Sequence, residues 1–356
     1  MRGCREAPPQ LRVMLGRFND PSRKVDRGGM QAQSESSKNK RKRARVDNDE
    51  WLVHAGMSDV GLERSVNEDR FATVSTETGL CFLVLDGMGG AEGGEFAAQI
   101  SVDTIRRFLT GERHGDIVET LRGAFEDANR TIMLRRQSQR FKEMGTTVVG
   151  ALIEDSAVAI GHVGDSRAYV VNGEEIRQLT VDHTYVQQLV DRNEITRDEA
   201  LPHPQSHILT QCLGSSPDIS VDVSRYWIWP REKGEQSDCI VLCSDGLYSM
   251  VDEEEICRLV GVLPPPKACE ELIKLANDRG GYDNITVSII PLEGHLRVEE
   301  SPTWGKEVAS RERSRRIGTW WQRSFLYHLV VAAFLAAGAS MGAIAIFLYF
   351  KVLRGF

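Results

Sequence analysis

Short apolar runs, amphipathic segments and polar turns alternate between residues 51 and 292. The first apolar runs, WLVHAGMSDVG and RFATVSTETGLCFLVLDG, are rich in β-branched and aromatic residues and predict strands. Two segments with apolar residues at helical spacing follow, and each predicts an amphipathic helix. The inward positions would be Phe96, Ile100, Ile105 and Phe108 in the first helix, and Ile117, Leu121, Phe125 and Ile132 in the second.

A series of strands follows the two helices. The runs TTVVGALI and AVAIGHVG are separated by a turn at EDS, and RAYVV and EEIRQLT are joined through Asn172-Gly173, which is typical of a tight hairpin. Residues 182–215 are polar and His-rich with a helical pattern, and predict an inserted subdomain. A strand (CIVLCSDG), a helix after Pro264–Pro266 that ends at Gly280-Gly281 and a last strand (ITVSII) complete the order. Because strands and helices occur in blocks, we expect an α+β domain with antiparallel sheets over residues 50–295.

The N-terminal segment is polar and lacks periodicity, so residues 1–49 are predicted to be a disordered arm. Its basic block, Lys38–Arg45, fits either a solvated tail or a contact with an anionic membrane leaflet. We also consider translation from Met30 instead of Met1. At the other end of the domain, residues 296–324 are rich in charge and predict a linker.

The strongest apolar signal of the chain lies near its C-terminus. Residues 325–350 are interrupted only by His328 and Ser340, and the run is long enough to cross a bilayer as a helix. A buried core helix is disfavoured because the run has no polar face. More arginines precede the run than basic residues follow it in the short tail 351–356, and no secretory signal is present. We therefore expect a single-pass protein with its catalytic domain in the cytoplasm.

Composition narrows the possible functions. The chain has 356 residues and a formal net charge of -7, which argues against a general nucleic-acid binder. Its seven cysteines form no CxxC pair and no zinc-finger spacing, and are expected to be reduced, mostly buried thiols.

Four aspartates lie at the ends of apolar strands. Asp86, Asp165 and Asp245 each follow one, and Asp283 precedes one. Carboxylates gathered at the rim of a core repel one another, and burial raises their pKa values. Such an arrangement is favourable when cations lie between them, and hard oxygen ligands select Mg²⁺ or Mn²⁺. The sequence therefore predicts a metal-dependent enzyme.

Two further motifs fit this chemistry. In DGMGG the glycines would let the Gly87 carbonyl approach a cation, whereas a dinucleotide-binding loop is disfavoured because the spacing is not GxGxxG and Asp86 would repel a pyrophosphate. In RSVNEDR, Glu68 and Asp69 are either ligands or a solvated turn. Arg64 supplies a planar fork suited to a phosphate.

Eight spaced motifs in this order resemble the metal-dependent serine/threonine protein phosphatases, the PPM or type 2C family, in its bacterial form. The motifs are SDVGLERSVNED, DGMGG, GTT, GDSR, DHT, LTQCLG, SDGL and the final DN, and they cover about residues 51–292. The resemblance implies a central antiparallel β-sandwich flanked by helices in α-β-β-α layers. It also implies a site for two Mn²⁺ or Mg²⁺ ions, with a weaker third, and a hydroxide between the two ions that attacks phosphorus.

The resemblance also implies roles for single residues. Asp86 would bridge both ions, with Asp245 and Asp283 completing one of them. The other ion would take Glu68 and the Gly87 carbonyl, partly through water, in the motif that also contains Asp69. A third ion would be held by Asp165 with Asp245, Arg64 would bind the substrate phosphate, and residues 182–215 would form a mobile flap.

Two positions depart from some relatives. Met88 and Ala91 stand where members of the family carry a histidine, so the general acid is unassigned and a water near Asp165 is our hypothesis. The chain's own histidines have simpler interpretations: His162 as a strand residue, His183 as a structural residue of the DHT turn, and His203 and His207 as flap surface.

Together these features predict a phosphoserine/phosphothreonine protein phosphatase at the inner face of a bacterial membrane. Its partners would be phosphoproteins, together with the serine/threonine kinases that it opposes. A catalytically silent scaffold is disfavoured because every expected ligand is present. A small-molecule phosphomonoesterase stays open, because such a site does not by itself select a protein substrate.

Overall fold

Two six-stranded antiparallel sheets, each covered by helices, make up the fold of this computed structural model. The structure describes residues 14–17, 53–111, 115–137, 142–173, 175–232 and 235–297, with 14–17 and 90–92 described for the backbone only. In spatial order the first sheet contains β1 (Met14–Arg17), β2 (Val53–Asp59), β13 (Ile285–Pro291), β12 (Cys239–Cys243), β9 (Arg167–Asn172) and β10 (Glu175–Gln178).

The second sheet has the same number of strands, and a short ribbon lies beside it. In spatial order the second sheet contains β14 (Gly294–Arg297), β11 (Asp222–Pro230), β8 (Ala157–Val163), β7 (Val148–Glu154), β4 (Gly79–Leu85) and β3 (Arg70–Ser75). The ribbon pairs β5 (Gly87–Met88) with β6 (Gly145–Thr146). The helices are α1 (Gly90–Leu109), α2 (Ile117–Arg135), α3 (Tyr185–Asp191), α4 (Arg197–Ala200), α5 (Asp245–Tyr248), α6 (Glu253–Val262) and α7 (Pro265–Asp278).

Strand β4 shows why the sheets stack. Alternate side chains of a strand point to opposite faces, and β4 is apolar on both. Leu83 and Leu85 join the cluster beneath α1 and α2. On the opposite face, the Phe82 ring meets the ring of His54, a β2 residue of the other sheet, with 4.9 Å between centroids. A strand with two apolar faces is therefore stable only between two layers.

Helices form the outer layers. Helix α2 begins with a capping box in which Asp116 Oδ1 accepts hydrogen bonds from the amides of Val118 and Glu119. Its buried face carries Leu121 and Phe125 against the second sheet. On the first sheet, α6 and α7 bury a second apolar cluster. The predicted α+β class, with an antiparallel sandwich flanked by helices, is thus confirmed for the described residues.

Some predictions need correction or lie outside the description. Met14–Arg17 form a strand paired with β2, so the predicted disordered arm 1–49 is wrong for these four residues. Strands β11 and β14 and helix α6 were not predicted, and the domain continues to Arg297. None of the helices within the described ranges meets the length and apolarity needed to cross a membrane. The span predicted over residues 325–350, the linker 296–324 beyond Arg297 and the tail 351–356 lie outside the described residues.

Candidate metal centre

Five aspartates from both sheets meet at one place. Asp86, Asp165 and Asp245 follow β4, β8 and β12, while Asp69 and Asp283 lie just before β3 and β13. Electrostatic interactions link them into one group: Asp86 interacts with all four of the others. The predicted convergence of these strand-end carboxylates is therefore what the fold produces.

Burial and mutual repulsion both disfavour the charged forms of these carboxyl groups. Burial raises the pKa of Asp69 to about 7, and the negative charges of Asp245 and Asp283 add to the effect. Burial first, and then the neighbouring aspartates, raise the pKa of Asp86 well above its usual range, and the pKa values of Asp165 and Asp245 are also raised. Without a counter-charge these groups resist ionisation, whereas a divalent cation would stabilise their charged forms.

Two oxygens of the group are buried without a hydrogen-bond partner. Among the described residues, Oδ1 of Asp69 and Oδ1 of Asp245 have neither a donor nor water access. A buried polar atom left unpaired costs free energy, and native folds seldom tolerate it. The surrounding donors are oxygens, which suit Mg²⁺ or Mn²⁺. The residues present therefore fit a divalent-cation site.

Asp69 is held rigidly from behind. The Ser244 hydroxyl donates to Oδ2 of Asp69 at 2.7 Å, and the Ser244 Oγ in turn accepts from the Thr286 amide at 3.0 Å. The Thr286 side chain also hydrogen-bonds to Asp69. These contacts leave Oδ1 of Asp69 as its unpaired oxygen. The solvated-turn interpretation of Glu68-Asp69 is wrong for Asp69, which is 2% exposed.

Asn284 organises the loop that carries Glu68. Its Oδ1 accepts from the Glu68 amide at 2.8 Å, and its Nδ2 donates to the carbonyls of Val60 and Val66 at 2.9 and 3.0 Å. The asparagine of the final DN motif thus fixes a loop more than two hundred residues earlier in the chain. Sequence reasoning missed this role, although the motif itself was noted.

Close backbone packing brings Glu68 and Gly87 together. A Cβ on Gly87 would lie 2.3 Å from the Gly94 carbonyl oxygen and 2.7 Å from that of Glu68. A Cβ on Gly94 would lie 2.7 Å from Oε1 of Glu68. Only glycine fits at both positions, so the DGMGG loop and the start of α1 can approach the Glu68 loop closely.

The GTT motif holds the backbone of Asp86. The Thr146 hydroxyl and the Thr147 amide both donate to the Asp86 carbonyl at 2.8 Å, and the Asp86 amide donates to Oγ1 of Thr147 at 3.0 Å. Next along the chain, Met88 is half-buried in β5, and the side chain of Ala91 lies outside the description. Met88 has no ionisable group, so it cannot supply the general acid.

Arg64 lies at the outer edge of the group. Its guanidinium donates to Oδ2 of Asp283 at 2.8 Å, and its side chain is half-exposed. The predicted phosphate-binding arginine therefore sits beside the predicted cation ligands and faces solvent.

Asp165 is attached to the flap through two motifs. The Tyr248 hydroxyl donates to the Asp165 carbonyl at 3.1 Å. Arg167 packs over the Tyr248 ring at 3.7 Å and pairs with Asp182 at 2.6 Å. The side chain of His183 hydrogen-bonds to the neighbouring residue Gly164. GDSR and DHT thus form one connected unit.

A second group of potential ligands includes His183, which contacts Gly164, the residue before Asp165. His162, His183 and Asp222 bring ligand atoms within 4.8 Å of one another. Nε2 of His162 already bonds the Val181 carbonyl at 2.7 Å, and Nε2 of His183 bonds Asp222 at 3.3 Å. Since these hydrogen bonds already use Nε2 of both rings, we interpret the group as a structural cluster. His162 is buried in β8, as predicted.

The protein phosphatase 2C family matches residues 63–297. The chain belongs to this family. It is 33% identical over 238 residues to a putative protein phosphatase 2C-type of Streptococcus pyogenes, covering 65% of this chain and 94% of that protein. It is 35% identical over 242 residues to the serine/threonine phosphatase stp of Listeria monocytogenes, covering 65% and 93%.

Solved structures agree with this placement. The serine/threonine phosphatase PstP/Ppp of Mycobacterium tuberculosis superposes with a TM-score of 0.60 at 32% identity, covering 67% of this chain and 98% of that chain. A PstP catalytic domain in complex with two manganese ions superposes with a TM-score of 0.57 at 30% identity, covering 66% and 96%. The predicted enzyme class, a metal-dependent serine/threonine protein phosphatase of the PPM family, is therefore confirmed.

Proposed function

We propose that the described domain removes phosphate from phosphoserine and phosphothreonine in proteins, using two Mn²⁺ or Mg²⁺ ions held by the five-aspartate group. The observation that carries this proposal is the pair of buried, unpartnered oxygens on Asp69 and Asp245, amid carboxyls with raised pKa values. In a family whose PstP member is solved with two manganese ions, this is where cations would bind.

Each residue then has a role that its surroundings support. Asp86, which interacts with the other four aspartates of the group, would lie between two ions. Asp245 and Asp283 would hold one ion, and Glu68 with the Gly87 carbonyl would hold the other, partly through water. Asp69, fixed by Ser244, would contribute its unpaired Oδ1. Because these oxygens come from separate segments of the chain, the site forms only when the chain folds.

Asp165 would serve a weaker third ion together with Asp245. The two carboxyls interact electrostatically, and the negative charge of Asp245 raises the pKa of Asp165 after burial, the larger cause. Asp165 is 6% exposed. A water near this residue remains our candidate proton donor to the leaving group.

The residues of the chain bind and orient the substrate. When bound, the cation pair supplies the positive charge that acidifies an attacking water and neutralises phosphoryl oxygens. Arg64 would hold two of those oxygens with its planar fork. With in-line attack the chain needs no side-chain nucleophile, which agrees with a site built from carboxylates and one arginine.

One experiment tests metal use and substrate class together. The full chain would be stripped with chelator, given Mn²⁺ and offered a phosphothreonine peptide and a set of sugar phosphates at equal concentration. We expect Mn²⁺-dependent release from the peptide at the higher kcat/KM, and its loss in Asp245→Asn. Preferred hydrolysis of a sugar phosphate would instead establish a small-molecule phosphomonoesterase, and a folded protein without any activity would establish a silent scaffold.

We also propose that the domain works at the inner face of a bacterial membrane, against phosphoproteins modified by serine/threonine kinases. The support is the apolar run 325–350 and the excess of arginines before it. Anchoring would raise the effective concentration toward membrane-bound substrates. Cell fractionation of the full chain and of a chain lacking residues 325–356 checks this: recovery of both in the soluble fraction would contradict it.

A further inference from the structure

The flap spanning residues 182–215 has a paired base. The Tyr185 amide donates to the Ile208 carbonyl at 2.8 Å, and the Thr210 amide donates to the His183 carbonyl at 2.8 Å. Thr184 caps α3 by accepting from the Gln187 amide at 3.2 Å. The backbone of His183 is therefore fixed at the point where the flap leaves the domain.

From this base, His183 reaches back to the loop that carries Asp165. Its amide donates to the Gly164 carbonyl at 2.9 Å, and its ring Nδ1 accepts from the Gly164 amide at 3.3 Å. Gly164 has a φ of 107°, and a Cβ there would lie 2.7 Å from Thr147. This φ favours glycine, and the two hydrogen bonds from His183 satisfy both backbone groups of the residue.

The ring of His183 is itself held in one orientation. Its Nε2 lies 3.3 Å from Oδ2 of Asp222, and its ring packs on that of His162 with 4.6 Å between centroids. Since Nδ1 accepts a hydrogen bond, Nε2 carries the proton and donates it to Asp222. The side chain of His183 is only 10% exposed, whereas that of Asp222 is 54% exposed.

The far side of the same loop has separate supports. The Asp165 carbonyl accepts from Tyr248, and Arg167 pairs with Asp182. These contacts fix Asp165 and the chain after it, whereas Gly164 precedes Asp165. The Gly164 carbonyl belongs to the peptide that enters Asp165, and the Gly164 amide belongs to the peptide before it. His183 hydrogen-bonds to both of those groups. It therefore sits one peptide away from a carboxylate of the metal centre.

We propose that His183 is a positioning residue of the metal centre, which orients Asp165 from the base of the flap by holding the preceding residue, Gly164. This inference rests on the proposed function, in which Asp165 holds the weakest of the bound cations. Outer partners that orient a ligand typically contribute about 10-fold to 100-fold to metal affinity. Any shift of the flap base would also move Gly164, so the position of the flap and the occupancy of that cation site are coupled.

Two substitutions separate the two hydrogen bonds of the ring. His183→Asn places an oxygen close to the position of Nδ1, so the Gly164 amide keeps an acceptor while the bond to Asp222 is lost. His183→Gln places a donor close to the position of Nε2, so Asp222 keeps its partner while Gly164 loses its acceptor. The matched control is His203→Gln, on the same flap but away from Asp165.

The readout is Mn²⁺ binding to the full chain by electron paramagnetic resonance, with Asp165→Asn as the reference that lacks the weakest ion. We expect His183→Gln to weaken that ion by about 10-fold to 100-fold and to leave the two tighter ions unchanged. His183→Asn should show a much smaller loss, because it keeps the acceptor for the Gly164 amide but not the bond to Asp222, and His203→Gln should stay close to wild type. Equal behaviour of the Asn and Gln variants, or a wild-type isotherm for His183→Gln, would overturn the proposal.

Two safeguards keep the result interpretable. If thermal melting shows that His183→Gln does not fold, Asp222→Ala releases the same ring from an exposed side chain, and we expect a weaker loss in the same direction; an unchanged isotherm there would count against the proposal. Failure of the proposed function looks different: wild-type protein would bind no Mn²⁺, or Asp165→Asn would leave the isotherm unchanged.

Discussion

Arg64 donates a hydrogen bond of 2.8 Å to Oδ2 of Asp283, across 219 positions of sequence. The Arg64 guanidinium, which we propose binds phosphate, is therefore hydrogen-bonded to Asp283, which we propose binds a cation. A cation bound to Asp283 would compete with Arg64 for this carboxylate. Cation binding would release Arg64 toward the substrate, so the two events are linked by one carboxylate.

Substitution of Arg64 should affect substrate binding more than metal binding. For Arg64→Ala we expect kcat/KM for a phosphopeptide to fall about 10-fold or more, mostly through KM, because a charge-assisted hydrogen bond is lost. Mn²⁺ affinity should be unchanged or higher, since Asp283 loses a competitor. Stability should change little because the ion pair is half-exposed. Arg107→Ala, at another exposed ion pair, serves as control, and a weakened Mn²⁺ isotherm in Arg64→Ala would contradict the assignment.

Removing one carboxylate should have opposite effects with and without metal. In chelator, Asp245→Asn should melt at the same or a higher temperature than wild type, because one of several repelling groups is neutralised. The rise in melting temperature that Mn²⁺ gives the wild type should disappear. Activity should fall by more than the roughly 100-fold expected for loss of an outer partner. The exposed Glu77→Gln should keep the Mn²⁺ effect, and a clear drop in the chelator melting temperature of Asp245→Asn would argue against a repulsive group.

Two neighbouring glycines of α1 offer a matched pair. A Cβ on Gly94 would lie 2.7 Å from Oε1 of Glu68, while one on Gly93 would lie 3.3 Å from Cβ of Met144. We expect Gly94→Ala to cost about 1–3 kcal/mol through overpacking and to weaken Mn²⁺ binding. Gly93→Ala should stay within about 1 kcal/mol of wild type, since alanine favours the helix. Urea unfolding and Mn²⁺ titration measure both, and equal losses would contradict the role of Gly94.

His295 should make stability depend on pH. Its Nδ1 lies 2.9 Å from Oδ1 of Asp238 and its Nε2 3.2 Å from Oε2 of Glu235, and the bond to Asp238, then that to Glu235, raises the His295 pKa above 6.5. A raised histidine pKa contributes stability that is fully present below the unfolded value and is lost as pH rises through the folded value. The unfolding free energy of wild type minus that of His295→Gln should therefore be larger at about pH 6 than at about pH 8.5. A difference that grows with pH would show that the ring is not charged.

The sequence predicted those residues of the site that their immediate sequence neighbours identify. Asp86, Asp165, Asp245 and Asp283 could be placed because each adjoins an apolar run, and a strand end at the rim of a sheet is a local property. The Gly87 loop could be placed because its glycines follow such a run. These signals do not depend on which strand lies beside which.

Other features depend on distant pairing and had no local signal. Asn284 acts on the loop of Glu68, and Ser244 on Asp69, through contacts that only the finished fold creates. Strand β11 was missed because its outward face carries exposed polar and aromatic residues, including Trp227 and Trp229, that blur the usual alternation. Strand β1 was missed because it gains its hydrogen bonds from β2 across residues that show no periodicity.

The hold of Asn284 on the loop from Val60 to Glu68 has a consequence for synthesis. Domains are made from the N-terminus and fold as units once their segments are available. The first ligand loop to leave the ribosome is completed by a residue close to the end of the described domain. An interrupted chain that stops before this residue carries most of the carboxylates but cannot assemble them. Truncated products would thus have no phosphatase activity toward phosphoproteins.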